Sequence, residues 1–216
     1  MPMMKDWVPR WIQPWLYVLT ALCFQFGGGY YLGALEVIRG TTNVMIEDVM
    51  FLLYASLAGM AVYFPMLFRM KFRFTNKQLL CASAIVLGIC NIVTMYSQSM
   101  PVLVVACFIA GMAKIQGTFE CMSNIQLWIT PRRDFSVFFP VLHIILLTAI
   151  EGSGWLAAWF GHHFTWQMMH VFTVGTMSLT LLIQLVCCRP FCPMPHRLSL
   201  KGMDFQGGLL ICVLML

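Results

Sequence analysis

Charged residues are scarce in this sequence. Asp, Glu, Lys and Arg make up only 10% of its 216 residues, whereas hydrophobic residues make up 60% and the mean hydropathy is +0.81. A soluble domain is about half apolar and about a quarter charged. The composition therefore excludes an ordinary soluble domain and predicts an all-α, polytopic membrane helix bundle in contact with a lipid bilayer.

Two further absences narrow the function. The chain has no glycine-rich phosphate-binding loop ending in Lys-Ser or Lys-Thr, so an ATP-driven pump is unsupported. Its net charge of +5 is distributed in short runs between apolar segments rather than along one basic face, which argues against nucleic acid. We expect no nucleic-acid partner, no cofactor, no metal and no enzymatic activity.

Six apolar runs are long enough to cross a bilayer as helices. The predicted spans are approximately Trp15–Leu35, Val49–Met66, Leu79–Tyr96, Val102–Ile129, Phe135–Phe160 and Trp166–Val186. Lys and Arg are concentrated in every second connection, as the positive-inside rule requires. This pattern predicts a multi-pass protein of the cell (inner) membrane with a cytoplasmic N-terminus.

The same pattern divides the chain into four segments. They are a cytoplasmic segment 1–14, a six-helix domain 15–188, a cytoplasmic loop 189–204 and a new apolar run 205–216. The last run covers only about 18 Å as a helix, whereas the hydrocarbon core is about 30 Å thick. We interpret it as the truncated start of a seventh helix.

The fourth span contains ionisable side chains that a membrane helix normally avoids. A buried charge at a helix centre costs at least about 2.5 kcal/mol, so such residues usually face a bundle interior. Gln116, Glu120 and Asn124 recur every four residues, whereas Lys114 and Thr118 fall on nearly the opposite side. The spacing predicts a central helix with one face paired to a neighbour and the other lining a cavity.

The rise per residue of a helix predicts which residues of the fifth span lie level with the ionisable residues of the fourth. Both helices should reach the inner surface near Pro131–Phe135, which puts Lys114 about 25 Å and Glu151 about 24 Å from it. Glu120 and His143 should lie about 16 Å and 12 Å from it. Facing Lys and Glu side chains are compatible with proton coupling and equally with a salt bridge that only joins two helices. The predicted substrate or proton pathway comprises Lys114, Gln116, Glu120, Asn124, His143 and Glu151.

Two stretches match parts of known transporter motifs. In the fourth span, Gln116 and Gly117 form a pair, with Ala113 three residues earlier and the basic Lys114 beside it. In the fifth span, the stretch SGWLAAWFGHH contains several small side chains but no proline. Its predicted helix-packing residues are Ser153, Gly154, Ala157 and Ala158.

With these motifs and its topology, the chain resembles the N-terminal half of a major facilitator superfamily transporter, most closely the fourteen-helix multidrug:proton antiporters. In the cytoplasmic loop PMLFRMKFRF, Arg73 matches a basic position of the family's loop motif. Arg69 occupies the position at which that motif has Asp. The resemblance implies a secondary active transporter for proton-coupled efflux or exchange of an organic solute or drug. It also implies a C-terminal half of the same transporter as partner.

Two other functions remain open. The acidic residue that those antiporters carry in the first span is absent near Gly27, which suits a non-transporting membrane scaffold or sensor derived from such a bundle. A membrane metalloenzyme would use the dyad of His162 and His163, or the cluster of Cys187, Cys188, Cys192 and His196. Their spacing only loosely resembles that of zinc ligands, and we place this alternative last.

Overall fold

The computed structural model describes residues 4–27, 45–97, 99–129 and 135–192, together with positions 206, 207, 210, 213 and 214. These residues contain six helices of 14 residues or more: α1 (Gln13–Phe26), α2 (Ile46–Tyr63), α3 (Asn76–Tyr96), α4 (Met100–Ile129), α5 (Phe135–His163) and α6 (Met168–Cys187). This part of the chain contains no strand, only an isolated bridge between Met4 and Cys188. The prediction of an all-α fold is confirmed.

Five helical segments in the described residues are long and apolar enough to cross a membrane. They are Ile46–Met66, Asn76–Tyr96, Met100–Gln126, His143–His163 and Met168–Cys187. These segments are what a multi-pass membrane protein requires. The outer part of the first predicted span, most of the loop 189–204 and most of the run 205–216 lie outside the described residues.

Local sequence explains several helix ends. Thr75 and Gln78 form a capping box at the start of α3, in which each side chain bonds the other residue's backbone N–H. Pro14 lies in the first turn of α1, where a missing N–H costs nothing. After α2, a 3-10 turn (Phe64–Met66) leads into a seven-residue helix, Leu67–Arg73, which we call the basic helix.

Helix α4 lies at the centre of the packing. It contacts α1, α2 and α3, while α3 also packs on α6, and α1 packs on α5 and α6. The approach of α2 to α4 depends on two glycines, because a Cβ at Gly59 would overlap the carbonyl oxygen of Phe108 and one at Gly111 would overlap that of Ser56. Small residues at such a crossing let two membrane helices pack backbone against backbone.

The distribution of polar and apolar side chains suits a bilayer. Large apolar residues are exposed along the outer faces of α3 and α6, including Ile85, Ile89, Ile92, Leu179, Leu182 and Leu185. Polar residues of the same two helices are buried, including Ser83, Asn91, Thr173, Thr180 and Gln184. An apolar exterior over a partly polar interior is expected where lipid replaces water.

The two flanks of the bundle meet at one end. The backbone N–H of Lys5 donates to the carbonyl of Cys187 at 2.9 Å, and Arg189 pairs with Asp6 at 2.7 Å. The ammonium of Lys77, at the start of α3, donates to the carbonyl of Cys188 at 3.3 Å. The start of α1 and the end of α6 therefore lie at the same end of the bundle.

Candidate functional site

The two polar faces predicted for α4 have different surroundings in the structure. Lys114 and Thr118 are buried towards α1, α2 and α5, on the wall of a large cavity. Gln116, Glu120 and Asn124 are also buried, and Gln116 lines a different, smaller cavity against α2 and α3. The helix thus separates two polar regions.

The larger cavity has a volume of about 630 Å³. Its polar lining consists of Gln25, Lys114, Thr118, Glu151 and Ser153. Apolar side chains of α2 and the ring of Trp155 complete much of the wall. A cavity of this size, mainly apolar with a few converging polar groups, is typical of a site for a small organic molecule.

Lys114 and Glu151 lie on the wall of this one cavity. Lys114 is only 9% exposed, whereas Glu151 is exposed. Both side chains line the cavity, one from α4 and one from α5. The arrangement gives the cavity one basic and one acidic group on different helices.

A hydrogen bond fixes the cavity wall next to Lys114. The amide Nε2 of Gln25 on α1 donates to the hydroxyl of Thr118 on α4 at 3.1 Å. Both side chains are buried. This bond joins α1 to α4 beside the charged groups.

The small residues of α5 have two environments. Ser153 and Ala157 are buried, and the hydroxyl of Ser153 donates to the carbonyl of Ile150 at 2.7 Å. Gly154 lines the cavity, and a Cβ there would meet nothing within 4 Å. Ala158 is half-buried. The missing side chain of Gly154 therefore leaves space in the cavity wall.

On the opposite face of α4, several buried polar atoms have no hydrogen-bond partner within the described residues. They are both amide atoms of Gln116, Oε1 of Glu120 and Nδ2 of Asn124. Glu120 is only 1% exposed. A carboxylate in that position needs a nearby positive charge or a proton.

Lys71 of the basic helix brings a positive charge to this face. Its ammonium donates a hydrogen bond to the hydroxyl of Ser123 and lies 5.4 Å from the ring centroid of Phe119. Burial lowers the pKa of Lys71 below the ordinary lysine value, and the carboxylate of Glu120 opposes that shift. Lys71 and Glu120 therefore interact across the boundary between the basic helix and α4.

The remaining predicted residues lie elsewhere. His143 is exposed on α5, whereas Glu120 is buried, and the charge that acts on Glu120 comes from Lys71. Arg69 and Arg73 are half-buried on the basic helix. The depth arithmetic put Glu120 and His143 at similar levels, but the structure does not bring them together.

Sequence reasoning did not single out a buried histidine on α6. Nδ1 of His170 lies 3.1 Å from Oδ1 of Asn91 and 3.2 Å from the hydroxyl of Thr94, so a polar network joins α3 to α6. His170 is fully buried, and the ring of Trp166 packs edge-on against it. The only signals for this network were isolated polar residues within two apolar runs, Asn91 and Thr94 in one and His170 in the other.

Within the described part of the chain, no three His, Cys, Asp or Glu residues are grouped so that they could hold a metal ion. Cys187, Cys188 and Cys192 are free thiols at the end of α6, and His196 lies outside that part. In comparisons with known proteins, no family model and no curated protein match the chain.

Proposed function

We propose that this chain is the six-helix half of a secondary active transporter that exchanges an organic solute for protons by alternating access. The cavity of about 630 Å³ between α1, α2, α4 and α5 carries this proposal, because it joins Lys114 and Glu151 on one wall. Intramembrane ionisable residues that face a cavity are characteristic of substrate and proton pathways.

The packing of the helices supports a transporter architecture. The main contacts stay the same when α1, α2 and α3 are exchanged for α4, α5 and α6: α2 packs on α4 as α5 packs on α1, and α3 packs on α4 as α6 packs on α1. The α1–α4 and α3–α6 contacts map onto themselves. Two inverted three-helix repeats produce this pattern, and a second half of the transporter would face the cavity.

The charges of the cavity suggest how transport is coupled. With Glu151 ionised, the wall carries one charge of each sign, and a cationic solute is attracted to the carboxylate. Protonation of Glu151 leaves Lys114 as the net charge and repels such a solute. Proton binding and solute binding are therefore mutually exclusive, as antiport requires.

The orientation follows from the charges at the two ends. The end at which both flanks meet carries Lys5, Lys77 and Arg189, and we assign it to the cytoplasm. Glu47 and Asp48 begin α2 at its other end. The N-terminus is then cytoplasmic, and the basic helix lies at the inner surface.

The test measures ethidium, a fluorescent organic cation, in cells that express this chain together with the proposed second half. Lys114→Ala and Glu151→Ala should each abolish proton-driven loss of ethidium while the protein remains folded in the membrane. Lys5→Ala and Glu47→Ala change the same residue types outside the cavity and should keep activity. Coupled ethidium transport at the wild-type rate in both cavity variants would overturn the coupling mechanism.

A scaffold or sensor role gives a different result. In that case, expression of the wild-type protein changes the accumulation of neither ethidium nor other organic cations, and the cavity variants are indistinguishable from it. Such an outcome would remove the transporter proposal and not only its mechanism.

A further inference from the structure

The smaller cavity on the other side of α4 has a chemistry of its own. It lies between α2, α3 and α4 and has a volume of about 210 Å³. None of the described residues that line it is charged, and most are apolar, such as Leu79, Ile109 and Met112. A charged ligand would lose its hydration there without gaining a partner.

One polar side chain in this cavity lacks a partner. Gln116 is only 3% exposed, and neither its amide nitrogen nor its amide oxygen has a hydrogen-bond partner in the described part of the chain. Buried amide groups are nearly always hydrogen-bonded, because leaving them unpaired costs free energy. The amide of Gln116 is therefore available to a group that donates or accepts a hydrogen bond.

The mouth of the cavity is on the lipid side of the bundle. Val86 and Ile109 are 36% and 40% exposed, and Ala82 on α3 is exposed as well. These apolar residues face the surroundings of the helices rather than the larger cavity. A molecule dissolved in the bilayer can reach Gln116 without crossing the charged site.

We propose that this cavity binds a neutral, mainly apolar molecule that carries a hydroxyl group and enters from the bilayer. The hydroxyl donates to Oε1 of Gln116 or accepts from its Nε2, and the hydrocarbon part contacts Leu79, Ile109 and Met112. The volume suits such a ligand, since a dry apolar cavity of about 150 Å³ already holds benzene. Binding here is independent of the transport proposed above.

The experiment photolabels the purified protein with 3-azioctanol, a neutral alkanol with a photoreactive diazirine, in phosphatidylcholine nanodiscs. Mass spectrometry should find the label on Tyr63, Met70 or Met112, and excess octanol should displace it. Gln116→Leu removes the hydrogen-bonding group and should lower labelling at these positions about tenfold, the change in affinity expected for one buried hydrogen bond.

Two further variants keep the test decisive. Ala82→Phe fills the mouth from an exposed position and should prevent labelling without disturbing the core. Gln25→Leu removes an amide from the larger cavity and should leave labelling unchanged. Equal labelling of the wild type, Gln116→Leu and Ala82→Phe, or label spread evenly over the lipid-facing helices, would show that only water and lipid chains occupy the cavity.

Discussion

Helix α4 has two polar faces, and their surroundings differ. Lys114 and Thr118 face a cavity of about 630 Å³ that also contains an exposed carboxylate on α5. On the other face, Glu120 is packed to 1% exposure and interacts with Lys71. Polar residues in one membrane helix therefore do not share one role: a charge beside a cavity can change its partner, whereas a charge inside packing depends on the partner that the fold provides.

This contrast predicts different consequences of substitution. On the cavity face, removal of a charge should impair transport more than stability, because Lys114 and Glu151 line a cavity. On the packed face, removal of one partner should impair stability, because the other charge stays buried. The expected loss of unfolding free energy is therefore larger at the helix crossing and on the packed face than on the cavity face.

The largest loss is expected where α2 and α4 cross. Gly111→Val places a side chain against the backbone of Ser56, and we expect it to destabilise the protein by about 3 kcal/mol or to prevent folding. Unfolding in mixed dodecyl maltoside and SDS micelles measures the change. Gly154→Ala is the matched control, because a Cβ there meets nothing within 4 Å. It should be neutral or stabilise α5 by up to about 1 kcal/mol; an equal loss in both variants would contradict the close α2–α4 approach.

A loss of similar size is expected on the packed face. Lys71→Ala leaves the carboxylate of Glu120 buried without its counter-charge and should cost about 3 kcal/mol of unfolding free energy. Addition of Glu120→Gln should recover part of this loss, because no uncompensated charge remains. The same micelle titration on both single variants and the double variant gives the coupling. Additive losses would mean that Lys71 and Glu120 do not interact.

The pH dependence of stability is a second way to test the environment of Lys71, because it reports the pKa of this side chain in the folded protein. Its pKa is lowered, chiefly by burial, so in an alkaline window below the ordinary lysine pKa the folded chain has lost a proton that the unfolded chain retains. Unfolding then takes up a proton, and the unfolding free energy should rise with pH through that window. Lys71→Ala should remove the contribution of Lys71 and so lower this slope, while the other buried titratable groups keep their contributions. If the slope of unfolding free energy against pH is unchanged in that variant, another titratable group causes it.

Rise per residue predicts depth along a helix but not direction around it. It put Lys114 and Glu151 at similar predicted depths, and the structure places both on the wall of one cavity. Rotation about the helix axis stays undetermined in such a prediction, and Glu120 is buried whereas His143 is exposed. The contact of Lys71 with α4 could not be predicted either, since it depends on how the basic helix folds back after α2.

The all-helical fold class followed from composition and from the lengths of the apolar runs, which also indicate approximate helix bounds. The sequence contained much weaker signals for side-chain contacts between helices that are distant in the chain. The Gln25–Thr118 bond and the contacts of His170 with Asn91 and Thr94 each join isolated polar residues of two separate apolar runs. Nothing in either run specifies its partner, because pairing is decided by the packing of whole helices.

The smallest effect is expected on the cavity face. Thr118→Val removes the hydroxyl that accepts from Nε2 of Gln25 at 3.1 Å while keeping the shape of the side chain. A buried amide left without an acceptor costs about 1–3 kcal/mol, but an amide that can bond water instead costs much less. Because the cavity holds an exposed carboxylate, we expect it to contain water and the loss to be only about 0.5 kcal/mol. The double variant Thr118→Val with Gln25→Leu should show little further change in the micelle titration. A loss of about 2 kcal/mol for Thr118→Val would mean that this wall is dry and packed, and the two faces of α4 would then differ less than their surroundings indicate.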